Sequence, residues 1–165
     1  NVYLTSARTF KCSFDEAKLE FFRACNAIYS KVSRAKNEDS MIALFKSKCL
    51  PILLCATEAC PILSRDRQSL EFAVTRSFMK IFHTGFSAIV AACQMNFNFL
   101  CVKHQLDIRT ARFLQGYSAS ENSVCSVFSI SADIQLRNLF SAYGGSIQTA
   151  THLASAIYVN LSNWM

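Results

Sequence analysis

The feature that most constrains this chain is its shortage of backbone breakers: 165 residues include only four Gly and two Pro. A turn-dense β-sandwich uses Gly and Pro at its many corners, so a chain this poor in both is directed toward helices joined by short connections. Hydrophobic residues make up 52% of the chain and Phe contributes 14 of them. That is enough apolar surface for collapse around a core rather than disorder. The length suits one domain with a sizeable core, or two small ones. The expected fold is therefore all-α, a helical bundle of about six to eight helices with a short extended N-terminal arm.

The N-terminal residues Asn1 to Cys12 favour extended backbone, which points to the end of a strand or hairpin with its partner upstream, or to a loose arm. Ser13-Phe14-Asp15-Glu16 then has the form of a capping box. A helix is expected from there to about Ser33, with Phe21, Phe22, Cys25, Ile28, Tyr29 and Val32 as its buried stripe. Asn37 is placed to cap a second helix, and Glu38 and Asp39 suit its positive end. That helix runs into the uncharged segment Cys49–Ala56, where Pro51 should kink or interrupt it before Pro61. The segment is too short to span a bilayer, which needs about 20 apolar residues, and reads as a core element. Ser64 should cap a third helix, Arg65 to His83, ended by Gly85. Further helices are expected at Ser87–Met95, His104–Tyr117, Ser120–Phe128, Ser131–Tyr143 and Ser146–Ser162. The pattern divides the chain into an arm (1–12), a three-helix domain (13–84) and a C-terminal helical region (85–165).

Charge is unevenly placed. Residues 1–80 carry 13 Lys or Arg against 8 Asp or Glu, a net of +5, and residues 81–165 carry 4 against 3, a net of +1. A basic half points to a polyanionic partner, although a charge of this size also serves solubility alone. On the first helix Arg23, Ser30 and Arg34 share one face, with Lys31 nearby. On the third, Arg65, Arg76 and Lys80 form a second ridge. Both ridges read equally as solvated surface. The chain opens on Asn1 rather than Met, which fits a fragment or a partial gene. It shows no N-terminal signal peptide and no apolar run near membrane-spanning length. Its eight Cys are then expected to be thiols in an intracellular protein, in the nucleus or cytoplasm, with no membrane partner.

No catalytic signature is visible. Asp15, Asp39, Asp66, Asp107 and Asp133 fall on separate elements, and no Asp-Asp pair offers a two-metal site. A Gly-rich phosphate loop, His-Glu-x-x-His and Gly-x-Ser-x-Gly are all missing. His83, His104 and His152 are isolated. Cys93, Cys101 and His104 form the nearest approach to a zinc set, but no fourth ligand presents itself. No metal ligands and no catalytic residues are expected in this chain.

The blocks Lys46-Ser47-Lys48-Cys49-Leu50-Pro51-Ile52-Leu53-Leu54 and Thr57-Glu58-Ala59-Cys60-Pro61 resemble a non-LTR (LINE-like) retrotransposon reverse transcriptase, just C-terminal of the polymerase palm. Arg8–Ser13, Ala24–Tyr29 and Phe72–Phe82 agree, and Asp107–Leu114 agrees more weakly. Cys55, Ser33 and Cys101 depart from that pattern, standing where Tyr, Gly and Pro are usual. The resemblance covers about residues 2–143 and includes no catalytic motif. It implies that the first three helices form a thumb gripping the template–primer duplex of RNA and DNA. The catalytic aspartates and the Mg2+ they hold would lie upstream, in the palm, so this chain would need no cofactor and catalyse nothing alone. Lys11, Arg23, Lys31, Arg34, Arg76 and Lys80 are the expected phosphate contacts, with the rest of the enzyme as protein partner. The competing expectation is a non-enzymatic helical interaction module, or a decayed retroelement fragment without activity.

Overall fold

The structure is a computed structural model that describes residues 3–5, 11–32, 37–144 and 147–162. Its described residues are all-α apart from one short hairpin. There Tyr3–Thr5 (β1) pairs antiparallel with Lys11–Ser13 (β2), Tyr3 opposite Ser13 and Thr5 opposite Lys11. The arm thus finds its strand partner a few residues downstream rather than upstream, which satisfies the inner backbone edge of both strands.

The helices follow in order: α1 (Asp15–Val32), α2 (Glu38–Leu44), α3 (Leu50–Leu53), α4 (Ser64–Ile81), α5 (Ser87–Asn96), α6 (Val102–Ser118), α7 (Ser123–Ser141) and α8 (Ala150–Ser162). Since α2 and α3 join through a π-helical turn at Phe45–Cys49, the described residues form seven helices when that run is counted once. An all-α bundle of six to eight helices is the fold.

The π turn is the physical answer to Pro51. Proline in a helix lacks an amide and crowds the carbonyl four residues back. Widening the turn before it lets the Leu50 amide reach back five residues to the Phe45 carbonyl, and the helix continues instead of breaking. Asn37 caps α2 as expected, its Oδ1 accepting from the Ser40 amide at 2.9 Å. Ser13 caps only in part. Its hydroxyl accepts from the Asp15 amide at 3.4 Å, while Glu16 turns toward Arg23, 4.0 Å away, instead of reaching back. The end of α4 differs too. His83 (φ 49°), not Gly85, takes the left-handed position, and the Thr84 amide bonds to the Met79 carbonyl at 3.0 Å in a Schellman closure. Asn98 (φ 47°) and a Phe99-to-Gln94 bond of 2.7 Å close α5 the same way.

The chain forms two compact units, residues 1–102 and 103–165. The first therefore runs past the boundary expected at 84, and two contacts explain why α5 belongs to it. Lys46, on the π turn, donates to the carbonyls of Phe97 and Asn98 at 2.6 and 3.3 Å, where the exposed carbonyls of the α5 C-terminus favour a cation. Phe99 lies 4.8 Å from Phe78 and 5.7 Å from Phe45, ring centre to ring centre. These rings, with Phe21 at 5.6 Å from Phe45, form the centre of the core. Leu53, Leu54, Leu70 and Val74 surround them and are buried. Together they join α1, α3 and α4, as the apolar spacing predicts. Burial of this kind is what stabilises the unit.

The run Glu38–Ala59, 22 residues of mean hydropathy up to 1.4, is long and apolar enough to pass a membrane-span test, which the sequence alone did not lead us to expect. Within the fold it behaves as a core helix: Met41, Ile42, Phe45, Cys49, Leu50, Leu53 and Leu54 are buried, while Lys48 is exposed. The second unit consists of α6, α7 and α8 around Leu106, Ala111, Leu114, Phe140, Leu153 and Ile157. Tyr143 donates to Asp107 at 2.6 Å, Ser118 to Asp133 at 2.7 Å, and the Ala150 amide to Gln115 at 2.9 Å. In this unit α7 is one helix where the sequence predicts two, because Ser126 and Ser129 return their hydroxyls to the Ser123 and Ser126 carbonyls and do not end it.

Candidate nucleic-acid interface

Helices α1 and α4 lie side by side and parallel. The register is set by Lys18 donating to Ser69 at 2.9 Å, Ser77 to Cys25 at 3.9 Å, Lys80 to Asn26 at 2.8 Å, and Tyr29 meeting His83 at 3.3 Å. Each pair is 51–54 residues apart in sequence, so the two basic ridges belong to neighbouring parallel helices.

The six expected cations nevertheless separate. Arg76 and Lys80 are exposed, one turn apart on α4, about 6 Å along its axis. Arg76 lies over the Phe72 ring at 5.9 Å and Lys80 over the Tyr29 ring at 4.7 Å. Among the described residues neither has a carboxylate partner. Lys31 is exposed in the last turn of α1, at the same end of the pair. Arg23 is different: Glu20 holds it at 2.6 Å and Glu16 stands 4.0 Å away, so its charge is already balanced. Lys11, on β2, lines a separate polar hollow of about 280 Å3 with Lys18, Arg65, Asp15 and Asp66, where acids and bases alternate. Arg34 falls outside the described residues. Of the set, Arg76 and Lys80 stand one turn apart on α4, and Lys31 is exposed on the neighbouring helix at the same end. Two helix C-termini at that end contribute about half a negative charge each, which leaves a net of about two positive charges.

Beside Arg76 and Lys80 opens a feature that the sequence reading missed, a groove of about 430 Å3 between α1, the π turn and α4. Its walls include Phe22, Ile28, Met41, Phe45 and Met79. Phe21 is fully buried, whereas Cys25, Ile28 and Val32, farther along the same stripe, are only half-buried. The apolar stripe of α1 is thus longer than its partners cover, and its length was the one available signal. Cys25 and Cys49 also line the groove, and their thiols hydrogen-bond. The Cys49 sulfur, then burial, push Cys25 well above the usual thiol range, while the Cys25 hydrogen bond pulls Cys49 down. A second thiol pair links the hairpin to the unit, where burial and the Cys12 thiol push Cys60 up to about 12. All eight cysteines are free thiols.

Metal chemistry does not fit the donors present. Among the described residues no three of His, Cys, Asp and Glu converge as a metal site. Asp15 is tied to Lys18 at 2.8 Å, and Asp66 accepts from the Leu63 amide at 3.2 Å. Burial pulls the His104 pKa down, and its ring packs on Tyr143 at 5.9 Å.

No protein-family model, no curated protein and no solved structure matches the chain. The resemblance to a reverse transcriptase stands on the sequence blocks alone.

Proposed function

We propose that this chain is the thumb and post-thumb part of a LINE-like RNA-directed DNA polymerase, binding template–primer nucleic acid without sequence preference and catalysing nothing alone. The observation that carries the reading is the pair Arg76 and Lys80, exposed on one face of α4 without a carboxylate partner among the described residues, with Lys31 exposed on the parallel helix. Unbalanced cations on adjoining helices suit the phosphate backbone, whose recognition positions a duplex but reads no sequence. Arg23 and Lys11 contribute little in this reading, because carboxylates already stand beside them.

Titration of a fluorescent RNA–DNA hybrid tests it. Three phosphate contacts give a slope of log K against log salt of about −2.7, and replacing Arg76 and Lys80 by Ala lowers it to about −0.9. The same relation puts the affinity loss at 0.1 M salt at roughly sixtyfold. A salt-independent affinity, or full affinity in the double variant, refutes the reading. The chain alone should incorporate no nucleotide on a primed template.

A second reading, a helical interaction module, is favoured by one face of α7. Val124, Val127, Phe128, Ile130 and Ile134 are 52–74% exposed there, opposite the side that buries Ala132 and Phe140. A helix apolar on both sides is characteristic of one that is covered. If no hybrid binds before mutation, this second reading takes precedence.

A further inference from the structure

We propose that the groove between α1, the π turn and α4 is a binding site for a small amphipathic monoanion, an alkyl carboxylate of medium chain length. Three observations converge on it. Its volume of about 430 Å3 falls in the range of pockets that enclose small organic ligands, about 300–1,000 Å3. Its walls are apolar along their length, with Phe22, Ile28, Met41 and Met79 presented by three different elements. Two of these are methionines, whose unbranched thioethers adapt to a flexible chain. Among the described residues no Asp or Glu lines it, while Arg76 and Lys80 both do.

The cations decide the head group. Lys80 donates to the neutral Asn26 oxygen at 2.8 Å and lies 4.7 Å over the neutral Tyr29 ring. Arg76 rests on Phe72. An anion in the groove supplies the missing countercharge to both, and charge-assisted bonds to a carboxylate are the strong ones. A cationic head meets two like charges, and an alcohol gains neither attraction nor repulsion. The walls also argue against a nucleobase as occupant, because a base edge needs several polar partners and Asn26 and Ser77 are the only neutral oxygen or nitrogen side chains near Lys80 in the lining apart from Tyr29. The inference uses the same two cations as the nucleic-acid reading but does not rest on it, and its test contains no nucleic acid.

The test uses the full chain labelled with 13C at the methionine methyl groups. Met41 and Met79 line the groove and Met95 does not. Titration with decanoate should move the Met41 and Met79 signals to saturation and leave Met95 in place. Decanol should need about tenfold more ligand, one charge-assisted contact's worth of affinity, and decylamine more still. Lys80→Glu, an exposed substitution whose unchanged Met95 signal reports an intact fold, sets a carboxylate against Arg76 and should erase the preference for decanoate over decylamine. Equal affinity of the unsubstituted chain for the three head groups, an unchanged preference in Lys80→Glu, or shifts that spare Met41 and Met79 would each overturn the proposal. Absence of saturation with all three would leave the groove to a protein partner and overturn it as well.

Discussion

Replacing Phe45 by Ala should come close to unfolding the first unit while leaving the second intact. Phe45 is 2% exposed, and its ring sits against three others, Phe21 at 5.6 Å, Phe78 at 5.4 Å and Phe99 at 5.7 Å. Removing a buried Phe costs about 3–5 kcal/mol through lost transfer energy and the cavity left behind. Edge-to-face ring pairs add about 0.5–1.5 kcal/mol each beyond area. Because Phe45 also belongs to the π turn, the surrounding helices cannot easily close the hole, and the upper part of that range applies. A unit of this size has a total stability of roughly 5–15 kcal/mol, so the variant should lose at least a third of it. Urea unfolding followed by far-UV circular dichroism measures this, with Phe86→Ala as control. Phe86 is 72% exposed, and its truncation should cost under about 0.5 kcal/mol. Two units can unfold in two transitions, and only the one belonging to residues 1–102 should move. If Phe45→Ala costs no more than Phe86→Ala, the ring cluster is not the centre of the core.

Arg23→Ala should leave the salt slope for an RNA–DNA hybrid unchanged while Arg76→Ala reduces it by about 0.9, and equal effects would show that the Glu20 pairing does not occupy Arg23. Ala56→Gly should raise stability by about 0.5–1 kcal/mol in urea titration, because Ala56 is exposed at φ 58° and glycine removes the left-handed penalty at some entropic cost; a loss would refute the strain. Lys18 and Ser13 hold the Asp15 carboxyl below its ordinary 3.8. A depressed carboxylate contributes stability above its unfolded pKa and loses it as pH falls through the folded one. The Asp15 side chain is 85% exposed, so only a few tenths of a kcal/mol should disappear below about pH 4. Asp15→Asn should flatten that acid-side slope, read by thermal melts from pH 2 to 6. Cys25 should alkylate far more slowly than the exposed Cys55, as followed by mass spectrometry of the labelled peptides, since burial and the Cys49 thiol suppress its thiolate.

Local features were legible where one residue decides them. Asn37 caps α2 because its side chain reaches an amide three residues on, and Pro51 forces an adjustment because it has no amide to give. The apolar spacing of Phe21, Leu70, Val74 and Phe78 reports burial directly. Reading failed where two chemistries compete. Residues 129 and 130 fall between two expected helices, yet Ser129 returns its hydroxyl to the Ser126 carbonyl within the turn it occupies and the helix runs through. Gly85 looked like the stop for α4, but His83 accepts the left-handed position, and its ring meets Tyr29.

From the sequence alone the helical class, most helix positions and the basic character of the first half follow, since these depend on composition and on spacing within a single element. The balance of Arg23 also follows from spacing, because Glu20 and Glu16 precede it by one and two turns on the same helix. What stands beside Arg76 does not follow, since only the fold sets an apolar groove there. The groove too is a property of packing. It exists because α1 carries a longer apolar stripe than the π turn and α4 together can cover, a mismatch between surfaces from separate elements of the chain.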